Sequence, residues 1–202
     1  MPSVSAYKDQ LLRAIDTIDL HAVGRAVQWF REARDGGGQA FACGNGGSAT
    51  TASHFVCDVL KGTGTGTASR MRIIALTDSV ATITAYSNDV NYDFIFVEQL
   101  KSFANRGDVL LALSGSGNSR NVVKATEYAV AHGCRTIALT GREGGQLGRL
   151  ADLHINVAEQ HMGCIEDAHM MICHMIAYAL MDESVGYPRV SMPSAPALPT
   201  TV

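Results

Sequence analysis

Two stretches of this chain combine residue types that hold anions. Gly44-Asn45-Gly46-Gly47-Ser48 follows the apolar run Phe41-Ala42-Cys43. Ser114-Gly115-Ser116-Gly117-Asn118-Ser119 follows Leu111-Ala112-Leu113. Each apolar run leads through small polar residues into a helix-like segment. Such a loop lets backbone approach a ligand closely, and the free N–H groups and dipole of the next helix point at it. Serine hydroxyls add donors. Two such loops together point to a phosphate held by hydroxyls and backbone N–H groups. A dinucleotide site fits poorly. The first loop contains G-x-G-x-x-A from Gly44 to Ala49, but the acidic partner belongs about 20 residues further on. The nearest candidate, Asp78, is 34 residues past Gly44. No Lys-Ser or Lys-Thr follows either loop, so a Walker site is excluded as well.

Acid–base and metal chemistry has its candidates on helices. His54 and Asp58, four apart, share one helix face. Imidazole and carboxylate at that spacing can hold a divalent metal or act as an acid–base pair. An ordinary helix-surface contact has the same spacing. A last helical stretch carries Glu166, Asp167, His169 and His174 among apolar residues. Polar groups buried in such a helix need partners. Asp167 reads as a helix-start carboxylate that complements the dipole. His169 reads equally as a satisfied core histidine or as a functional one.

The positioning elements follow from pattern. Tyr7–Arg34 has helical periodicity, with Gly24 as its weak point, and Gly36-Gly37-Gly38 ends it. Strands are expected at Gln39–Cys43, Arg72–Leu76, Asp108–Leu113, Arg135–Leu139 and Leu153–Val157. Helices are expected at Ala49–Lys61, Ser79–Tyr86, Phe94–Ala104, Ser119–His132 and Ile165–Leu180, with a turn at Ser87-Asn88-Asp89. Gly62–Thr67 reads as a loop, either a lid over the site or a solvated connector, and Gly141–Gly145 as another loop. This alternation predicts an α/β, three-layer, doubly wound sandwich with a mostly parallel five-stranded sheet and a long N-terminal helical unit at 5–34. Residues 1–185 are expected to form one domain and 186–202 a Pro-rich tail. Ligands of such sheets bind beyond the carboxyl ends of the strands, where both glycine loops lie.

Bulk composition narrows the class. Apolar residues make up 47%, charged residues 17%, and net charge is −3. No Lys/Arg cluster marks a nucleic-acid or acidic-membrane surface. No apolar run is long enough to span a bilayer, and Met1–Lys8 lacks signal-peptide order. Five cysteines without a CxxC pair read as reduced, mostly buried thiols of a cytoplasmic protein.

Gly44–Ser48 and Ser114–Ser119 resemble the two signature loops of sugar isomerase (SIS) domains. The resemblance runs from about Ala6 to Leu180 and is closest to the phosphoheptose isomerases. These interconvert sedoheptulose 7-phosphate and a D-glycero-D-manno-heptose 7-phosphate by moving a proton between C1 and C2. The resemblance implies a divalent metal, zinc by expectation, on His54, Asp58, Glu166 and His174. Asp58 is one methylene shorter than the family's Glu, and Glu166 stands where the family has Gln. It implies Asp58 as base and His174 as acid, with Glu166 or His169 as base if Asp58 is held on the metal. Ser114, Ser116 and Ser119 are implied to hold the phosphate, with Gly115 in that loop where the family often has Thr. Asn45, Gly46, Gly47, Asn88 and Asp89, with Asp58 and Glu166, are the implied sugar contacts. A homotetramer with active sites between subunits is implied too. Eight residues of helix separate Glu166 from His174, a rise of about 12 Å. Either the helix is irregular at Glu166, or the two residues serve sites of different subunits. The same scaffold carries isomerases of other sugar phosphates and non-catalytic modules that bind a sugar phosphate or a protein, so these remain alternatives.

Overall fold

The structure, a computed structural model, describes residues 3–63 and 70–181. Five strands, β1 (Gln39–Cys43), β2 (Arg72–Ala75), β3 (Val109–Ser114), β4 (Arg135–Gly141) and β5 (Leu153–Val157), form one sheet in the order β2-β1-β3-β4-β5. Every pairing is parallel. The central strands β1 and β3 are buried along their whole length, as strands covered on both faces must be. Alternate residues feed two cores. Ala40, Ala42, Leu111 and Leu113 face one, and Phe41, Cys43, Leu110 and Ala112 face the other.

The first face is covered by α1 (Val4–Ile15), α2 (Leu20–Asp35), α3 (Gly47–Gly62) and α8 (Met162–Met181). The second is covered by α4 (Val80–Asp89), α5 (Val97–Phe103), α6 (Arg120–Ala131) and α7 (Gly145–Leu150). The chain runs outward from β1 to β2 and then crosses back to β3 on the other side of β1. The strand order therefore reverses between β1 and β3, where a crevice opens beyond the carboxyl ends. Cys43 of β1 lies opposite Ala112 of β3. The two glycine loops thus leave neighbouring strand ends, and their helices depart to opposite faces.

Several boundaries differ from expectation. The N-terminal unit breaks before α2, not at Gly24. The Asp19 carboxylate caps α2 by accepting from the N–H groups of His21 at 2.9 Å and Ala22 at 3.1 Å. Gly24 sits inside α2 with open space around it. The expected turn at Ser87–Asp89 is the last turn of α4. The expected helix Phe94–Ala104 is a 3₁₀ turn at Tyr92–Phe94 followed by α5. Helix α7 was not expected, and α8 starts three residues early. Residues 64–67 of the candidate lid and the tail 186–202 lie outside the described residues. Cys43, Cys134, Cys164 and Cys173 are buried free thiols, and Cys57 is exposed. Burial pushes the Cys43 thiol up to about 12. Among the described residues no helix is long and apolar enough to cross a membrane.

Candidate active site

The two loops bring unpaired donors to the crevice. Ser3, Asp19 and Ser79 cap α1, α2 and α4 with their side chains. Helices α3 and α6, which follow the loops, have no side-chain cap. The Ala49 N–H turns back to the Gly46 carbonyl and the Val122 N–H donates to Asn121 Oδ1, which leaves the first two N–H groups of each helix for an anion. At Gly46 the backbone has φ 55° and ψ −122°, which an L side chain would strain. Ser119 stands at the N-cap position of α6, yet its Oγ accepts from the Ser114 hydroxyl at 3.1 Å. The Ser116 hydroxyl is 3.5 Å from that of Ser114. Three hydroxyls thus converge at the carboxyl end of β3.

Asn45 is clamped between elements. Its amide exchanges two hydrogen bonds with Asn121 at 2.8 Å, and Tyr92 donates its hydroxyl to Asn45 Oδ1 at 2.9 Å. Sequence reasoning missed both partners. Only the closeness of the two strand ends brings α6 to the first loop.

The first turn of α8 roofs this crevice. A Cβ on Gly47 would meet the Glu166 carboxylate at 2.5 Å. One on Gly115 would meet Met162 Sδ at 2.5 Å, and one on Gly141 would meet Ile165 Cδ1 at 2.4 Å. Positions 162, 165 and 166 share one helix face, so that face is seated on three glycines from three separate strand ends. The open pocket beneath it has a volume of about 250 Å³ and includes Asn45, Gly46, Ser114, Ser119, Met162 and Glu166 in its lining. A larger cavity of about 490 Å³ lies beside β2, but its lining includes neither loop.

Further along α3 and α8, three side chains meet. His54 Nε2 is 3.2 Å from Asp58 Oδ2, and His174 Nε2 is 3.6 Å from the same oxygen. The two Nε2 atoms are 3.1 Å apart. Two imidazole nitrogens and a carboxylate oxygen this close call for a cation or a shared proton between them. Donors bound at about 2.0–2.2 Å to a tetrahedral ion stand about 3.4 Å from one another, so the set fits a zinc-like divalent metal. The His54 and His174 side chains are 49% and 40% exposed, so the group opens onto the surface of the helix pair.

Other expected site residues lie elsewhere. Glu166 lines the anion pocket and is absent from the group formed by His54, Asp58 and His174. Because α8 is one α-helix from Met162 to Met181, irregularity at Glu166 does not bring the two together. Asn88 donates to Asp89 Oδ1 at 2.8 Å, and neither residue lines the pocket. Asp167 accepts from the Tyr7 hydroxyl at 2.7 Å, tying α1 to α8. That bond pushes the tyrosine well above its usual range. His169 is 1% exposed, and its ring nitrogens have no well-formed hydrogen bond beyond an interaction with the Thr140 backbone. Its burial fits the core reading of the two left open for it, though not a fully satisfied form of that reading. Burial lowers its pKa to about 4, against a small opposing effect from the Thr140 backbone.

A crevice lined by two glycine loops at a strand-order reversal is where α/β sheets of this kind bind small ligands, and the relatives narrow the class. A model of the SIS domain matches residues 6–141. The probable phosphoheptose isomerase of Thermoplasma volcanium is 38% identical over 164 residues, covering 81% of this chain and 82% of its own length. The phosphoheptose isomerase of Colwellia psychrerythraea is 42% identical over 144 residues, covering 70% of this chain and 73% of its own. The solved phosphoheptose isomerase of Neisseria gonorrhoeae superposes with a TM-score of 0.82 at 30% identity, over 90% of this chain and 97% of that one. The chain belongs to the SIS domain family and, within it, to the phosphoheptose isomerases.

Proposed function

We propose that this chain is an aldose–ketose isomerase that interconverts sedoheptulose 7-phosphate and a D-glycero-D-manno-heptose 7-phosphate. One observation carries the reading: α3 and α8 each contribute both to the anion pocket and to the His54, Asp58 and His174 group. A phosphate anchor and an acid–base or metal centre are the two parts that isomerisation of a phosphorylated sugar needs.

The hydroxyls of Ser114, Ser116 and Ser119 and the first-turn N–H groups of α3 and α6 bind the phosphate. Asn45, held by Asn121 and Tyr92, orients the sugar with Gly46 and Gly47. Asp58 Oδ2 faces the two imidazoles, and Asp58 takes the proton from the carbon next to the carbonyl. His174 protonates the oxygen that becomes the enediol. A divalent metal on His54, Asp58 and His174 would polarise the carbonyl. His169, sealed from solvent, is not the base. Glu166 is the carboxylate that can take over if metal binding withholds Asp58.

The assembly we propose is a homotetramer with sites shared between copies. The rise of about 12 Å from Glu166 to His174 and the outward-facing histidines support this. In that arrangement one copy's pocket and Glu166 face a neighbour's His54, Asp58 and His174, and Asn88 and Asp89 reach sugar in the same way.

Turnover of sedoheptulose 7-phosphate in D₂O, followed by NMR, tests the activity. Aldose carrying deuterium at C2, suppressed by chelator, is the expected result. No turnover with any added divalent metal sinks it. Sharing is tested by co-expressing Glu166→Ala with His174→Ala chains. Mixed oligomers should regain activity that neither variant has alone.

A further inference from the structure

We propose that Met162 is a substrate-positioning residue whose thioether closes the side of the pocket that Gly115 leaves open. The inference rests on the sugar-phosphate reading above and deepens it. Met162 is the first residue of α8, and side chains on a helix lean toward its N-terminus. Here that lean carries the sulfur over the second glycine loop. A Cβ on Gly115 would stand 2.5 Å from Sδ and 3.3 Å from Cε. The sulfur therefore holds the place that a side chain at 115 would need, although it belongs to another element.

Met162 is not a core residue. It remains 38% exposed and lines the pocket beside Ser114, Ser116 and Ser119. No lysine or arginine lines that pocket, and Glu166 does. An anion there gains no charge pairing from the described residues that line it and must rely on hydrogen bonds. Such bonds strengthen when water is kept away from them. An apolar thioether against one side of the three hydroxyls does that. Being unbranched, it can follow the ligand as it seats.

The test compares the wild type with Met162→Ala, Met162→Leu, Gly115→Ser and the double variant Gly115→Ser/Met162→Ala. Two quantities are read: kcat and KM for sedoheptulose 7-phosphate, and the Kd of inorganic phosphate by calorimetry. Met162→Ala should raise both KM and the phosphate Kd about fivefold, with kcat within about twofold. Met162→Leu should recover most of that loss. Gly115→Ser should bind phosphate worse than the double variant, because the serine needs the room the sulfur takes. Unchanged KM and Kd in Met162→Ala, or a double variant no better than Gly115→Ser, would overturn the proposal. A wild type that binds phosphate but does not turn over the sugar defeats the isomerase reading alone, and the phosphate data then decide on Met162.

Discussion

Helix α8 meets the site twice, and the two encounters are built by opposite means. Its first turn is fitted by missing atoms: Met162, Ile165 and Glu166 rest where Gly115, Gly141 and Gly47 have no side chain. Its middle is fitted by donor atoms: His174 meets His54 and Asp58 at 3.1 and 3.6 Å. The first contact is a matter of shape and fails when atoms are added. The second is a matter of chemistry and fails when atoms are removed. Exposure follows the same division, since Ile165 is fully buried and the His174 side chain is 40% exposed. Changes at the middle should therefore cost activity without stability, and changes at the first turn should cost stability first.

The largest effect should come from the chemical end. His174→Ala should lower kcat about 10³-fold, the range of a lost general acid, while thermal stability stays within about 0.5 kcal/mol of wild type. Steady-state kinetics and a melting curve on one preparation check both halves. A drop under tenfold, or a matching loss of stability, would erase the contrast.

His169 lies between the two ends and belongs to neither. Its folded pKa of about 4 is below the ordinary 6.5, so the unfolded chain takes up the proton first as pH falls. Its stabilising contribution is full above about 6.5 and is lost as pH falls toward 4, by about 3 kcal/mol in all. The half-buried His154, also lowered by burial, adds in the same sense. Denaturant titrations from pH 7 to pH 4 should show this slope, and His169→Gln should flatten it. An unchanged slope in that variant would place the titration elsewhere.

The glycine end allows a sharper cut. Gly141→Ala puts a methyl group against Ile165 Cδ1, Cγ1 and Cγ2 at 2.4–2.8 Å, inside the core. Neither the strand end nor the buried isoleucine can yield easily. The expected cost is about 2 kcal/mol, or a fall in Tm of about 6 °C. A melting curve within about 1 °C of wild type would mean that α8 floats on its glycines.

Much of this was legible from residue order, and the remainder depends on chain meeting chain. Both loops could be read because a strand, small residues and a helix in succession already imply an anion site. The pairing of His54 with Asp58 follows from helical spacing. Helix α7 was hidden by Gly145 and Gly148, which disfavour helix. What holds it is tertiary: buried Leu147, whose N–H donates to the Gly117 carbonyl at 2.9 Å. Met162 and Tyr92 carried no signal, because each matters only through a loop more than forty residues away. The glycines themselves were read as room for a ligand. Two of them, Gly47 and Gly115, also make room for α8, as does Gly141 outside those loops, a role that requires knowing where that helix lands.

Gly47 should give the smallest effect and tests where the two modes of construction meet. A Cβ there would meet the Glu166 carboxylate at 2.5 Å. That carboxylate is the free end of a flexible side chain and makes no hydrogen bond among the described residues, so it can swing aside. Gly47 also lies in the first turn of α3 at negative φ, where alanine favours helix. Gly47→Ala should therefore change stability by less than about 1 kcal/mol, in either direction. Its kinetic effect should nevertheless be several-fold, because the methyl moves Glu166 and narrows the loop that receives the sugar. Stability and kinetics that both stay at wild-type values would remove Glu166 from the working site. A loss of stability as large as that of Gly141→Ala would make Glu166 part of the steric seat. The expected split, with activity moved and stability kept, puts Glu166 with His174 on the chemical side of the division, although it sits in the first turn.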